Sequence, residues 1–185
     1  MSAEAASFEF VRTTREHFPQ LQRWLREPHV ARFWNHDTSD ASIERDFGGS
    51  IDGTEPSEDF LVLRHGAPFG FIQRYRIADY PEDLGILTKL VEIPPGSISM
   101  DYFVGDRRNT GRGLGTAMIS SFVRKCRLDL PDATSIIVPV AVPNQASWRA
   151  LEKAGFRRVG EGFLPPDNPI DDGSHYLNRF DIRSA

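Results

Sequence analysis

The sequence predicts an α/β fold: a mixed, mostly antiparallel sheet with a parallel central pair, flanked by helices. Three observations predict it. Short apolar or alternating runs recur along the chain with strand period, and between them lie stretches whose apolar residues follow helical spacing. The order of these elements mixes tight hairpins with helical crossovers, which only a mixed sheet accommodates. The 185 residues, 39% hydrophobic and 26% charged, fit a single domain over residues 1–185 with one sizeable core.

Phe8 to Arg12 reads as a first strand. Glu16 to Arg26 carries Phe18, Leu21, Trp24 and Leu25 at helical spacing, and Pro28 ends or bends that helix. His29 to Trp34 is a second short helical piece, and Ser42 to Ile51 a weakly periodic third. Phe60 to Arg64 and Phe69 to Arg76 are strands of a hairpin around His65-Gly66-Ala67-Pro68. Asp79 to Gly96, acidic and broken by Pro81, Pro94 and Pro95, reads as a long loop with at most one helical turn, a type of segment often tied to function. Ile98 to Val104 alternates, with Ile98, Met100 and Tyr102 on one face and Ser99, Asp101 and Phe103 on the other.

Gly111 to Leu130 is a glycine-rich turn feeding a long helix, whose buried stripe is Met118, Ile119, Phe122, Val123 and Cys126. Ser135 to Val142 is a buried strand. Asn144 to Ala154 is a helix stopped by Gly155. Phe156 to Phe163 and Tyr176 to Ile182 close the sheet around the turn-rich LPPDNPIDDGS segment.

Several function classes are disfavoured. A formal net charge of −4 argues against nucleic acid, which needs a basic surface, and suits a cationic substrate. No apolar run approaches the roughly 18 residues of a bilayer span. The start, MSAEAASFEF, shows no secretory signal pattern. The single cysteine, Cys126, reads as a packed thiol in a reducing cytoplasm. No metal-ligand spacing occurs, so no metal is expected.

The most informative stretch is Arg108-Asn-Thr-Gly111-Arg-Gly113-Leu-Gly115-Thr116, between a strand and a helix. Glycines at alternate positions let backbone N–H groups approach an anion. The helix N-terminus adds unpaired donors and partial positive charge, and Arg108 and Arg112 add full charges. A pyrophosphate suits such a cradle; a flexible turn is the plain alternative. The spacing is neither a dinucleotide fingerprint nor a P-loop.

Arg108-x-x-Gly111-x-Gly113 resembles the Q/R-x-x-G-x-G/A motif of GNAT acetyltransferases. Downstream, Asn144-Gln-Ala-Ser147 and Leu151-Glu-Lys-Ala-Gly155-Phe156 are similar to that family's second cofactor segment. The resemblance implies a GNAT-like sheet in which the strands carrying Asp101 and Val138 splay apart around the pantetheine arm of acetyl-CoA. It implies that Phe103, Val104, Arg108, Gly111, Arg112, Gly113, Gly115, Thr116, Asn144 and Ser147 contact the cofactor, with Phe103 and Gly105 offering backbone groups. Asn144 equally suits a helix N-cap.

On the acceptor side, attack of a neutral amine on a thioester needs a base, an oxyanion donor and a proton for the thiolate. Asp101, mid-strand beside the cofactor loop, is the candidate base; the amide near Phe103 or Val104 is the candidate oxyanion donor. The segments Trp24 to Trp34, Gly70 to Tyr75 and Met100-Asp101 resemble the aminoglycoside 6′-N-acetyltransferase branch. That resemblance implies a primary amine of a small cationic molecule as acceptor, with Trp34, Gln73 and Tyr75 lining its pocket. A core position for Trp34 stays open.

Two positions depart from the pattern. Leu151 stands where many such enzymes carry a tyrosine that protonates the thiolate. Pro94 stands where the aminoglycoside enzymes carry a gripping acid; Glu92, or Asp79, Glu82 or Asp83, is its candidate replacement, against a plain solvated acidic loop. The Arg32-Phe33-Trp34 step also resembles siderophore-type lysine acetyltransferases. A lysine-like or N-terminal amine, and a CoA-binding module without turnover, remain the alternatives. A monomer or homodimer is expected.

Overall fold

The computed structural model describes residues 7–182. The first six residues, where a secretory signal pattern is expected to be absent, lie outside the described residues. Seven strands form one sheet: β1 (Phe8–Arg12), β2 (Glu58–Arg64), β3 (Ala67–Arg76), β4 (Ile98–Val104), β5 (Ser135–Ala141), β6 (Arg157–Phe163) and β7 (Ser174–Asp181). Their spatial order is β1-β2-β3-β4-β5-β7-β6. Every neighbouring pair is antiparallel except β4 and β5. The expected mixed sheet with one parallel pair is therefore present.

Among the described residues six α-helices cover it: α1 (Phe18–Leu25), α2 (Pro28–Ala31), α3 (Asp40–Asp52), α4 (Pro81–Leu87), α5 (Leu114–Asp129) and α6 (Gln145–Lys153). Pro28 ends α1 and opens α2, because a proline at the first helical position loses no hydrogen bond. Ser39 caps α3 by accepting from the Ser42 N–H, and Gly53 closes it in the left-handed region. The β2–β3 hairpin turns on His65 and Gly66 alone, both with positive φ (52° and 73°).

The segment expected to be a loop from Asp79 to Gly96 instead holds α4, two turns long. Pro81 does not break the chain's helical course here. It sits at the start of this helix, followed by Glu82 and Asp83 in the first turn, where acids favour the dipole.

The core lies on both faces of the sheet. On one, Phe60, Val62, Ile72, Ile98 and Met100 pack against Met118, Ile119, Phe122, Val123 and Cys126 of α5 and Leu151 of α6. On the other, Leu61, Phe71 and Phe103 pack against Leu21, Trp24, Leu25, Ile43 and Phe47 of α1 and α3. Strand alternation therefore sends Asp101, in phase with Phe103, to the α1–α3 side, and Tyr102, in phase with Met100, to the α5–α6 side. Cys126 is a buried thiol, as expected, 3.7 Å from a guanidinium nitrogen of the buried Arg74.

Candidate active site

β4 and β5 pair only at Ile98 with Ile136, then part. The Gly105 N–H donates to the Phe69 carbonyl at 2.9 Å, in register with β3. Antiparallel alternation then turns the backbone groups of Phe103 toward β3 as well, and those of Tyr102 and Val104 toward the gap. Phe103 itself is buried core. The expectation of Phe103 and Gly105 as the free backbone positions is thus corrected by the register, which puts Tyr102 and Val104 there. Of Val104, the carbonyl lies 2.9 Å from His29 Nε2, which leaves the amide. Gly105 is required for another reason: a Cβ there would collide with the Trp24 ring.

The turn that follows delivers Gly111 and Gly113 with φ of 72° and 75°, a region that disfavours other L-residues. Gly113 is the N-cap of α5. The first helical bond runs from the Ala117 N–H to the Gly113 carbonyl, so Leu114, Gly115 and Thr116 offer amides with no intrahelical partner. A Cβ at Gly111 or Gly113 would meet no protein atom, so the turn opens outward. Arg108 is exposed and paired with Asp106 at 3.4 Å; Arg112 is exposed. Bare amides, a sixteen-residue helix behind them and two basic side chains form a donor set suited to a diphosphate. On the opposite bank, Asn144 caps α6 by accepting from the Ser147 N–H at 3.3 Å, and both residues border the gap.

A cavity begins in that gap. Met100, Asp101 and Tyr102 of β4, Val138 to Ala141 of β5, and Asn144 and Ser147 line it on one side; Phe33, Trp34, Asp167 and His175 line the other. A second cavity, lined by Tyr75, Asp83, Ile86, Leu87 and Leu164, shares Asp101, Pro139, Asp167 and His175 with the first. Asp101 stands where the two meet.

Gln73 Nε2 donates to Asp101 Oδ2 at 3.0 Å across the β3–β4 pair. Burial pushes the Asp101 carboxyl up to about 6, against the Gln73 bond that lowers it; the nearby Asp167 and Asp83 charges raise it further. Tyr75 packs edge-on against Tyr80, ring centroids 4.9 Å apart, and burial holds its phenol above the ordinary range, so it stays a donor. Trp34 stacks on His36 and meets Phe71 and Phe103 edge-on while facing the cavity, so it is at once core and wall. Glu92 is exposed and lines neither cavity; of the acids expected to serve from that loop, Asp83 alone does.

Asp167 and His175 are site residues that sequence reasoning does not reach. Asp167 comes from the β6–β7 connection, where acids between prolines and glycines look like a solvated turn, and His175 from the start of β7. The connection is held over the site by Arg32, whose guanidinium grips both oxygens of Asp171 at 2.8 and 2.7 Å. Asn168 Nδ2 adds a bond to the Arg32 carbonyl, and Asn35 Nδ2 one to the Asp167 carbonyl. His175 Nδ1 lies 2.8 Å from the Gly173 carbonyl and donates its proton there.

Known proteins share this fold and parts of this sequence. The aminoglycoside N(6′)-acetyltransferase type 1 of Klebsiella pneumoniae is 28% identical over 159 residues, 84% of this chain and 76% of its own length. The lysine N-acyltransferase MbtK of Mycobacterium tuberculosis is 23% identical over 141 residues, 76% of this chain and 64% of its own. The structure of AAC(6′)-Ib with paromomycin and acetyl-CoA shares the fold, with a TM-score of 0.78 at 22% identity, over 95% of this chain and 93% of that one. AAC(6′)-Ib with coenzyme A and kanamycin gives 0.77 at 23% identity, over 95% of each chain. The profile of the acetyltransferase (GNAT) domain matches residues 13–164. That span is well over half of the sequence, and it places the chain in the GNAT family of acetyl-CoA-dependent N-acetyltransferases.

Proposed function

We propose that the acceptor is a primary amine of a small polycationic molecule of the aminoglycoside type, and that Asp101 receives the proton of the attacking amine. The observation that carries this reading is the position of Asp101 at the junction of the two cavities, with Asp167 and Asp83 bordering the acceptor side. Three carboxylates around one cavity favour a ligand with more than one ammonium group. The relatives named for aminoglycoside acetylation support the same class.

Acetyl-CoA supplies a thioester whose carbonyl carbon is the electrophile. The amides of Leu114, Gly115 and Thr116, with Arg108 and Arg112, hold its diphosphate, and Asn144 and Ser147 border its arm. The Val104 amide, turned into the gap, donates to the oxygen that becomes negative as the amine attacks. Gln73 fixes the Asp101 carboxylate so that its other oxygen faces the amine. Trp34 supplies an apolar wall, and His175 borders the acceptor.

A lysine-like acceptor is the second reading, carried by the MbtK likeness. Steady-state kinetics with acetyl-CoA against kanamycin and against an N-blocked lysine separates the two. The first reading expects kanamycin to be acetylated with a KM that rises steeply with added salt, because exposed carboxylates are screened. Turnover of the lysine derivative alone, or a kanamycin KM indifferent to salt, refutes it.

A further inference from the structure

The thiolate expelled when the amide forms is a charge that neither Asp101, which takes a proton on the acceptor side, nor the Val104 amide, which faces the oxyanion, serves. The donor must lie on the opposite, α5–α6 side of β4. On α6 the residue one turn beyond Ser147 is Leu151, fully buried and without a proton to give. Tyr102 occupies this side. Its hydroxyl lies 2.8 Å from Ser147 Oγ, its ring packs against the cluster that contains Leu151, and with Asn144 and Ser147 it lines the cavity that holds Asp101. The other polar groups bordering the cavity are less suited. The Asn144 carboxamide oxygen is engaged by the Ser147 N–H, and an amide is no acid at neutral pH. His175 has its Nδ1 proton on the Gly173 carbonyl and belongs to the acceptor end.

We infer that Tyr102 is a catalytic residue that gives its hydroxyl proton to the departing sulfur, and that Ser147 is the positioning residue that aims it. The inference rests on acetyl transfer to an amine in this cavity. The amine nitrogen forms the C–N bond, the oxyanion re-forms the carbonyl, and the C–S electron pair moves to sulfur. Sulfur takes the proton from Tyr102 Oη, and the tyrosinate takes one back from water through Ser147 Oγ. The proton lost by the amine leaves from Asp101, so one N–H is exchanged for one S–H. Burial, with the Asp101 charge nearby, holds the phenol above its ordinary range and so keeps it protonated. The same dry surroundings raise the proton affinity of the nascent thiolate as well.

The test is Tyr102→Phe in the full chain, read in two ways. The first needs no acceptor: the thiol of bound CoA is titrated by its ultraviolet thiolate absorbance, with desulfo-CoA affinity by calorimetry as the control for folding. A donor aimed at sulfur stabilises the thiolate, so its loss moves the titration upward by about one pH unit, while desulfo-CoA binds within about threefold of wild type. The second is turnover: kcat falls by roughly 10²–10⁴, with the acceptor KM nearly unchanged. Ser147→Ala moves the titration the same way by a smaller amount, and carries the test if Tyr102→Phe loses CoA. A thiol titration unmoved in a variant that still binds desulfo-CoA overturns the assignment, whatever happens to kcat. Failure of wild type to acetylate any amine would instead count against the proposed acceptor chemistry, and the titration would still decide the role of Tyr102 independently.

Discussion

Asp59 is a buried carboxyl, 2% exposed, and one of its oxygens has no hydrogen-bond partner among the described residues. By register it is the cross-strand neighbour of Gln73, which is in turn the neighbour of Asp101. Burial pushes its carboxyl from 3.8 up to about 7, opposed by Arg12 and Ser50 and reinforced by the Asp101 charge. The sign follows from proton counts. Between about pH 4 and 7 the folded chain keeps a proton that the unfolded chain has released, so stability falls as pH rises through that window. The gap corresponds to about 4 kcal/mol, gained fully below the unfolded value and lost above the folded one. Asp59→Asn removes the titration and keeps the shape. The expected result is a variant whose stability advantage over wild type grows by about 4 kcal/mol from pH 4 to pH 8, measured by urea unfolding across that range. A difference that stays flat between pH 5 and 8 would show that Asp59 ionises at its ordinary value, and the burial argument would fail.

Other predictions concern the site and its frame. Asp101→Asn should lower kcat/KM by roughly 10²–10⁴. It should also abolish the rise in activity through about pH 6 that ionisation of this carboxyl gives the wild type; a pH profile unchanged by the substitution removes Asp101 from the mechanism. Gly113→Val forces a β-branched residue to φ near 75° at the start of α5 and should weaken CoA binding at least about tenfold by calorimetry. Gly105→Ala drives a methyl into the Trp24 ring and should cost about 3 kcal/mol or more, read as a fall in Tm. Arg32→Ala releases Asp171 and the β6–β7 connection; the acceptor KM should rise several-fold while CoA affinity is retained, and an unchanged KM would show that the connection does not shape the acceptor cavity.

Local patterning carries much of this protein. Ile98 to Val104 alternates because one face packs on α5 and the other on α1 and α3, so its boundaries and the phase of Asp101 are readable directly. The glycines at 111 and 113 announce a turn because only they tolerate its dihedrals, and Asn144 announces a cap because its side chain replaces a missing helical bond. α4 is obscured by prolines whose effect depends on position, since the same residue that breaks a helix interior begins a helix well. The apolar run of β2 leaves Asp59 just outside the strand; only pairing with Gln73 shows that it is inside and buried.

The sequence by itself determined which segments form strands and most of the helices, where the glycine turn before α5 lies and the phase of Asp101 on the strand ahead of it. These follow from interactions within a few residues: period, capping and φ. The tertiary structure decided which distant groups share the cavity. Because β7 inserts between β5 and β6, the connection bearing Asp167 is carried back to the mouth of the parted strands, and His175 comes to line the same cavity as Asp101. The Tyr102–Ser147 pair likewise exists only after β4 and α6 pack together. Strand order and packing are set by burial summed over the whole chain, and no local pattern encodes that sum.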